Sequence, residues 1–285
     1  MSAAAATRAR RGPVDPYADA PDHGPVRFLH RLNPLAKIAA PLPAIVALIV
    51  SRDIAVPLAF ILIALVLLLV GAHLTGRALL GLFVVLPVAA AVLAVSFGLW
   101  ADASRVDTTP VLFRLGDYRF HLGSLAVGTA TSLRLVAILV LSLVAGLTSS
   151  GPDLVRALVQ QLRVPYRVGY TALAAYRFVP RFGHELEVIR QAHRVRGMAA
   201  GRGPVAAVRR WIGYVVPLLA GGIRHAERVA LAMDSRAFGA HRTRTERHLV
   251  PFRVRDGVFV IVFWLVTAIV VTAGILRPFP FLEAS

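Results

Sequence analysis

The sequence predicts an all-α integral membrane protein of about five transmembrane helices, with a cytoplasmic amphipathic segment inserted before the last span. Three observations carry this. Of 285 residues, 57% are hydrophobic and 16% charged, against about 45–50% and 25% in soluble domains. Five stretches are nearly free of charge and close to the roughly 17–25 residues that a helix needs to cross a bilayer. The formal net charge is nevertheless +17, and most of it falls in one segment. Such an apolar chain is not disordered, and a soluble nucleic-acid binder has no use for a mean hydropathy of +0.67.

Residues 1–33 show no periodicity and read as a flexible cytoplasmic tail. Arg8, Arg10 and Arg11 are not followed by an apolar core before residue 38, which argues against a cleaved export signal. A four-helix transmembrane region follows over 34–148. Its first stretch, 38–51, is short, but Pro34, Leu35 and Ala36 extend it, with Lys37 snorkelling to the surface. The second and third, 54–72 and 78–101, carry no charge, and the fourth, 122–148, carries only Arg134. The fifth span, 257–276, closes the membrane part and leaves a short tail over 277–285.

Charge orients these spans, because cytoplasmic loops carry the excess of Lys and Arg. Residues 1–37 hold six basic and three acidic residues, and the loop 102–121 holds three of each. Residues 149–256 hold 19 Arg against seven acids. The N-terminus and 149–256 are therefore expected in the cytoplasm, the loop 102–121 outside, and the C-terminal tail outside. Small residues recur at helical spacing in two spans: Ala90, Ala94 and Gly98, and Ser124, Gly128 and Ser132. Such stripes let helices approach closely in lipid; an Ala-rich composition alone also produces them.

The spans hold no Asp, Glu or Lys, whereas ion-coupled carriers usually keep an acid at membrane depth. Arg134 either faces a protein partner or wet crevice, or the span begins at Leu135 and the side chain reaches the outer interface. The sole Lys lies in no glycine loop, so the chain is no P-loop ATPase. There is no Cys, no zinc-protease motif, no nucleophile elbow and no acidic metal cluster. Neither a catalytic nor a metal site is expected. His193 and His225 neighbour Arg and read as solvated helix faces.

Within 149–256, Pro152 and Asp153 open a helix, with Asp153 placed for the dipole. A second helix runs from Val168 to Val195, with Leu173, Tyr176, Phe182, Leu186 and Ile189 on one face and Arg181 spaced to pair with Glu185. Pro180 should bend it. A unit over 205–223, broken by Pro217, precedes a third helix reaching about Phe238, with Leu219, Ile223, Ala226, Ala230, Met233 and Ala237 as its apolar face. Two of these helices end alike, in Val195-Arg196-Gly197 and Ser235-Arg236-Ala237, with forty residues between the arginines. An Arg in the last turn complements the dipole and projects beyond the helix end, as a charged, planar tip suited to a carboxylate-lined groove. Ordinary C-capping accounts for the same residues.

The stretch Leu29-His30-Arg31-Leu32-Asn33-Pro34-Leu35-Ala36-Lys37-Ile38 resembles the first-span motif of the transmembrane T component of energy-coupling factor (ECF) transporters, the EcfT/CbiQ family. Asn33 stands where that family has Asp, and Leu35 where it has Arg. Residues 148–157, Arg177-Phe178-Val179-Pro180, the run 191–197 and the run 230–238 are similar to the family too, in order. The resemblance implies a non-catalytic coupling subunit of an ABC importer in the cell membrane, taking up a vitamin or metal ion. It implies two cytoplasmic ABC ATPase subunits, which carry ATP and Mg, and a small substrate-binding membrane subunit. The family's two docking motifs fall on Val195, Arg196 and Gly197 and on Ser235, Arg236 and Ala237, the second lacking glycine. No cofactor is implied in this chain, and no nucleic acid. The alternatives are a stand-alone secondary transporter or channel, against which the missing intramembrane acids count, and a lipid-head-group enzyme, which lacks an acid–base pair.

Overall fold

A computed structural model describes residues 27–51, 53–100, 110–115, 118–197, 203–241 and 245–276. The chain divides into two compact units, one holding 155–249 and the other 22–154 with 250–285.

The larger unit is the apolar one. After a 3-10 turn at Phe28–Arg31, α1 (Pro34–Ala39) and α2 (Leu42–Val50) run almost continuously. Then come α3 (Ala55–Gly71) and α4, which spans Gly76–Leu99 and contains a π-helical turn at Gly81–Val85. A two-stranded antiparallel hairpin, β1 (Val111–Leu115) with β2 (Tyr118–His121), leads into α5 (Leu122–Thr148). α9 (Val254–Leu276) completes the unit. α4, α5 and α9 are long and apolar enough to cross a membrane, and 34–50 and 55–71 are shorter apolar helices. The fold is thus that of an α-helical membrane protein, with one correction: the loop 102–121, expected without strands, holds the hairpin among its described residues. Cross-strand pairing satisfies backbone groups that an irregular loop would leave to water.

α5 is the centre of the unit, packing on α2, α3 and α4. Its C-terminal half buries Val136, Ala137, Val140, Leu141 and Val144, one apolar face at helical spacing. Its N-terminal half buries the small residues Ser124, Gly128 and Ser132 instead. A Cβ on Gly128 would stand 2.0 Å from the carbonyl oxygen of Ala94 and 2.7 Å from the amide nitrogen of Gly98. The two small-residue stripes therefore meet, with backbone against backbone. Val46, Leu62, Val66, Val92, Ile261 and Ile269 point outward and are exposed. An apolar surface of this extent belongs in lipid or against another protein.

In the smaller unit, α6 (Gly151–Gln161), which starts just before it, is followed by α7 (Tyr166–Val195) and α8 (Pro204–Asp234). Ser150 caps α6: its hydroxyl accepts from the Asp153 amide at 3.2 Å and donates to the Asp153 carboxylate at 2.6 Å. Two expectations are corrected. The unit 205–223 and the helix after it are one continuous helix, α8, which passes through Pro217 as α7 passes through Pro180. The expected apolar face of α8 is not its packed face: Leu219 and Ile223 are exposed, and contact with α7 runs through Gly213, Tyr214, Gly221, Gly222 and His225.

Candidate functional site: two arginine-tipped helix ends

α7 and α8 pack antiparallel, as successive contacts show. Phe178 stacks on His225 with ring centroids 4.3 Å apart. Phe182 and then Glu185 lie against Gly222 and Gly221, and His193 meets Tyr214 edge-on at 5.2 Å. His193 and His225 are therefore half-buried ring partners between the helices, not solvated faces. Glu185 is likewise turned toward α8 rather than toward Arg181, and the ion pair on α7 joins Arg190 to Glu187 at 3.8 Å. Glycines at 213, 221 and 222 make room for these side chains.

Beyond the end of α8 the chain folds back onto the start of α7. The Tyr166 hydroxyl donates to the His241 carbonyl at 2.5 Å, and Arg167 donates to the Gly239 carbonyl. Tyr170 donates to the Glu246 carboxylate, and Tyr166 packs edge-on against Phe238 at 5.8 Å. The antiparallel register thus holds over the whole of α7. Arg196, just past its C-terminus, and Arg236, beside its N-terminus, lie at opposite ends of the pair. Thirty residues of helix separate those ends, about 45 Å at 1.5 Å per residue.

Both arginines occupy the same kind of position. Arg196 ends α7 with its amide bonded to the Ala192 carbonyl at 3.1 Å, and Gly197 follows at φ +70°. Arg236 precedes Ala237, which holds φ +54°. The Phe238 amide bonds to the Met233 carbonyl at 3.0 Å and the Ala237 amide to the Asp234 carbonyl at 2.9 Å, the two bonds of a Schellman stop. The missing glycine therefore does not cost the second motif its sharp end. Ala237 takes the left-handed conformation itself, a strain of about 1–2 kcal/mol for a residue with a Cβ. Val195, Arg196, Gly197, Ser235, Arg236 and Ala237 are all exposed.

The first-span motif has a structural role that composition did not reveal. Lys37 does not snorkel: it is 1% exposed, and its Nζ donates to the Thr148 carbonyl, the last residue of α5, at 2.8 Å. Asn33 caps α1 through the Leu35 amide at 2.9 Å. Its own amide donates at 2.8 Å to one carboxylate oxygen of the buried Asp256, whose other oxygen accepts from the Arg253 amide at 2.7 Å. Arg255 donates to the Arg31 carbonyl, and His30 Nε2 accepts from the His73 amide at 3.0 Å. The motif thus ties the first helix to the start of α3's following loop, the end of α5 and the start of α9. Asp256 was the residue the sequence reading missed; an acid in the first turn of a helix marked its place, but not its partner 223 positions away.

Arg134 lies midway along α5, which begins at Leu122. Its Nε is buried without a hydrogen-bond partner. Among the described residues no cluster of His, Cys, Asp and Glu is placed to hold a metal ion.

The family model of CbiQ, a cobalt transport protein, matches residues 25–247. The chain is similar to the energy-coupling factor transporter transmembrane protein EcfT of Bacillus subtilis, with 25% identity over 52% of this chain and 58% of that one. It is 28% identical to the protein of the same name from Leuconostoc gelidum, over 55% of this chain and 65% of that one. The EcfT of Thermosediminibacter oceani is 28% identical over 77% of this chain and 84% of that one. Less than two thirds of the length of the first two relatives is thus spanned.

Proposed function

The chain belongs to the CbiQ family of cobalt transport proteins, and on that premise we propose that it is the transmembrane coupling subunit of an ECF-type ABC importer. In this reading five helices span the membrane, and the N-terminus and residues 149–256 lie in the cytoplasm. Arg196 and Arg236 each seat one of two cytoplasmic ABC ATPase subunits. A small substrate-binding membrane subunit rests on the outward apolar faces of the spans, with Arg134 as a candidate contact. The chain itself catalyses nothing; ATP and Mg are held by the ATPases, and the cargo is a vitamin or metal ion.

One observation carries the reading: two long, mutually braced helices end in the same way at opposite ends of their pair, each presenting an exposed arginine at a Schellman-type stop. A guanidinium there gains from the negative end of the helix dipole. It is a rigidly aimed, bidentate donor for a partner's carboxylates. The curated relatives are named as transporter transmembrane proteins, which supports the same role. Movement of the ATPases would be relayed through the helices of 149–256 to reorient the substrate-binding subunit. Co-expression with candidate ATPases tests this. Arg196→Glu with Arg236→Glu abolishes their co-purification if the reading holds, and a complex that survives both changes contradicts it.

A further inference from the structure

We propose that a groove between α4 and α5 seats one acyl chain of an anionic phospholipid, with the lipid headgroup at Arg77. The groove lies within the larger unit and holds about 410 Å³. Its described lining is Ala, Gly, Val and Leu throughout, from Ala78 and Leu147 at one end to Leu93 and Leu135 at the other. The side chains explain why it opens. Gly128 lets α5 lie against the backbone of α4, but the same face of α5 continues as Leu135, Leu139, Leu143 and Leu147. Leucines hold two helix axes further apart than small residues do. On α4, the π-helical turn begins at Gly81, where an added Cβ would meet nothing within 4 Å.

The dimensions select the occupant. Leu135 to Leu147 covers about 18 Å of α5 at 1.5 Å per residue, little more than one leaflet of a hydrocarbon core roughly 30 Å thick. A partner helix about 10–12 Å across would fill about 1,500 Å³ over that length, several times the space in the groove. A single hydrocarbon chain is thin enough to enter.

The charge at the head of the groove selects the lipid. Arg77 is exposed and stands one turn before Gly81 on the same face of α4, and no acid occupies the first turn of that helix. A cation there meets the positive end of the helix dipole, the reverse of the placement that stabilises it. A lipid phosphate offsets both charges. Lipid tails are as apolar as leucine, so the chain gains little by leaving the bilayer for the groove. Selectivity therefore comes from the headgroup, and one cation beside anionic lipid gives a preference of about fivefold.

The test uses the full chain in phosphatidylcholine nanodiscs with a fifth of the lipid replaced by phosphatidylglycerol. Native mass spectrometry of the released protein identifies and counts the lipids that it keeps. The expected result is one phosphatidylglycerol per chain, enriched about fivefold over its share of the bilayer. Arg77→Gln returns the retained lipid to the bilayer ratio. Arg209→Gln, which loses an equal charge in the other unit, leaves the enrichment intact. Gly81→Leu fills the groove and lowers retention of both lipids. Enrichment that survives Arg77→Gln, or falls equally in Arg209→Gln, overturns the proposal. So does loss of a co-expressed substrate-binding subunit by Gly81→Leu with lipid retention unchanged, which would assign the groove to a protein helix. The Arg77→Gln and Arg209→Gln comparison decides by itself if Gly81→Leu unfolds the chain. The proposal rests only on the membrane placement of α4 and α5, and Arg196 and Arg236 are intact throughout, so its failure leaves the docking reading standing.

Discussion

Lys37 Nζ donates a 2.8 Å hydrogen bond to the main-chain carbonyl of Thr148, 111 positions away, at the end of the central helix α5. A cation at a helix C-terminus is stabilised by the dipole, and here it is buried, so the bond is charge-assisted in a poorly solvated place. Lys37→Met keeps the side-chain length and removes the donor. It should cost about 1.5–3 kcal/mol, the range for hydrogen bonds to charged groups, read as a lower unfolding temperature in detergent. An unchanged melting curve would show that the ammonium is not held as described.

Gly128 marks a close crossing of α5 and α4 in the membrane unit. With the Ala94 carbonyl oxygen 2.0 Å from where its Cβ would be, even Gly128→Ala must push α5 and α4 apart. Overpacking of this kind costs about 1–3 kcal/mol. Gly81→Ala, on α4 with nothing within 4 Å of the added Cβ, serves as the tolerated control. Comparing the detergent stability of the two variants checks the packing directly.

Ala237 holds a positive φ that glycine adopts without strain. Ala237→Gly should stabilise the end of α8 by roughly 0.5–1 kcal/mol, while Ala237→Val should fray it. Limited proteolysis across 235–241 distinguishes them: cleavage slows in the first and quickens in the second. Capture of ATPases should be unaffected by Ala237→Gly, because the arginine keeps its place.

Arg134 leaves a buried Nε unpaired in the middle of α5. Removing a half-buried side chain whose Nε has no hydrogen-bond partner should not destabilise the chain, so Arg134→Met is expected to melt at the same temperature or higher. If Arg134 contacts the substrate-binding subunit, the same variant loses that subunit on purification while keeping the ATPases. Retention of both subunits would remove Arg134 from the interface.

The apolar helices were legible because their signal is local. The run 55–71 lacks charge and 122–148 carries only Arg134, and the small-residue stripes at Ala90/Ala94/Gly98 and Ser124/Gly128/Ser132 carry helical spacing that lipid packing rewards. The two arginine motifs were legible for the same reason, since a helix end is defined within five residues. What depends on distant partners was not. Lys37 looked like a surface lysine because nothing nearby announces the Thr148 carbonyl, and Asp256 drew no notice because Asn33 is 223 positions away. Pro217 suggested a break in α8, yet packing against α7 through His225 and Tyr214 keeps the helix whole. Leu219 and Ile223 had the periodicity of a core face, but periodicity does not say whether the covering partner is in the same chain.

The central claim is that Arg196 and Arg236, at opposite ends of the α7–α8 pair, each hold one ATPase. Native mass spectrometry of the complex co-expressed with its ATPases measures this most directly, using Arg196→Glu and Arg236→Glu singly. The account predicts that each single variant retains one ATPase where the unaltered chain retains two, and that the double variant retains none. Two ATPases on either single variant, at the same abundance as on the unaltered chain, would contradict it.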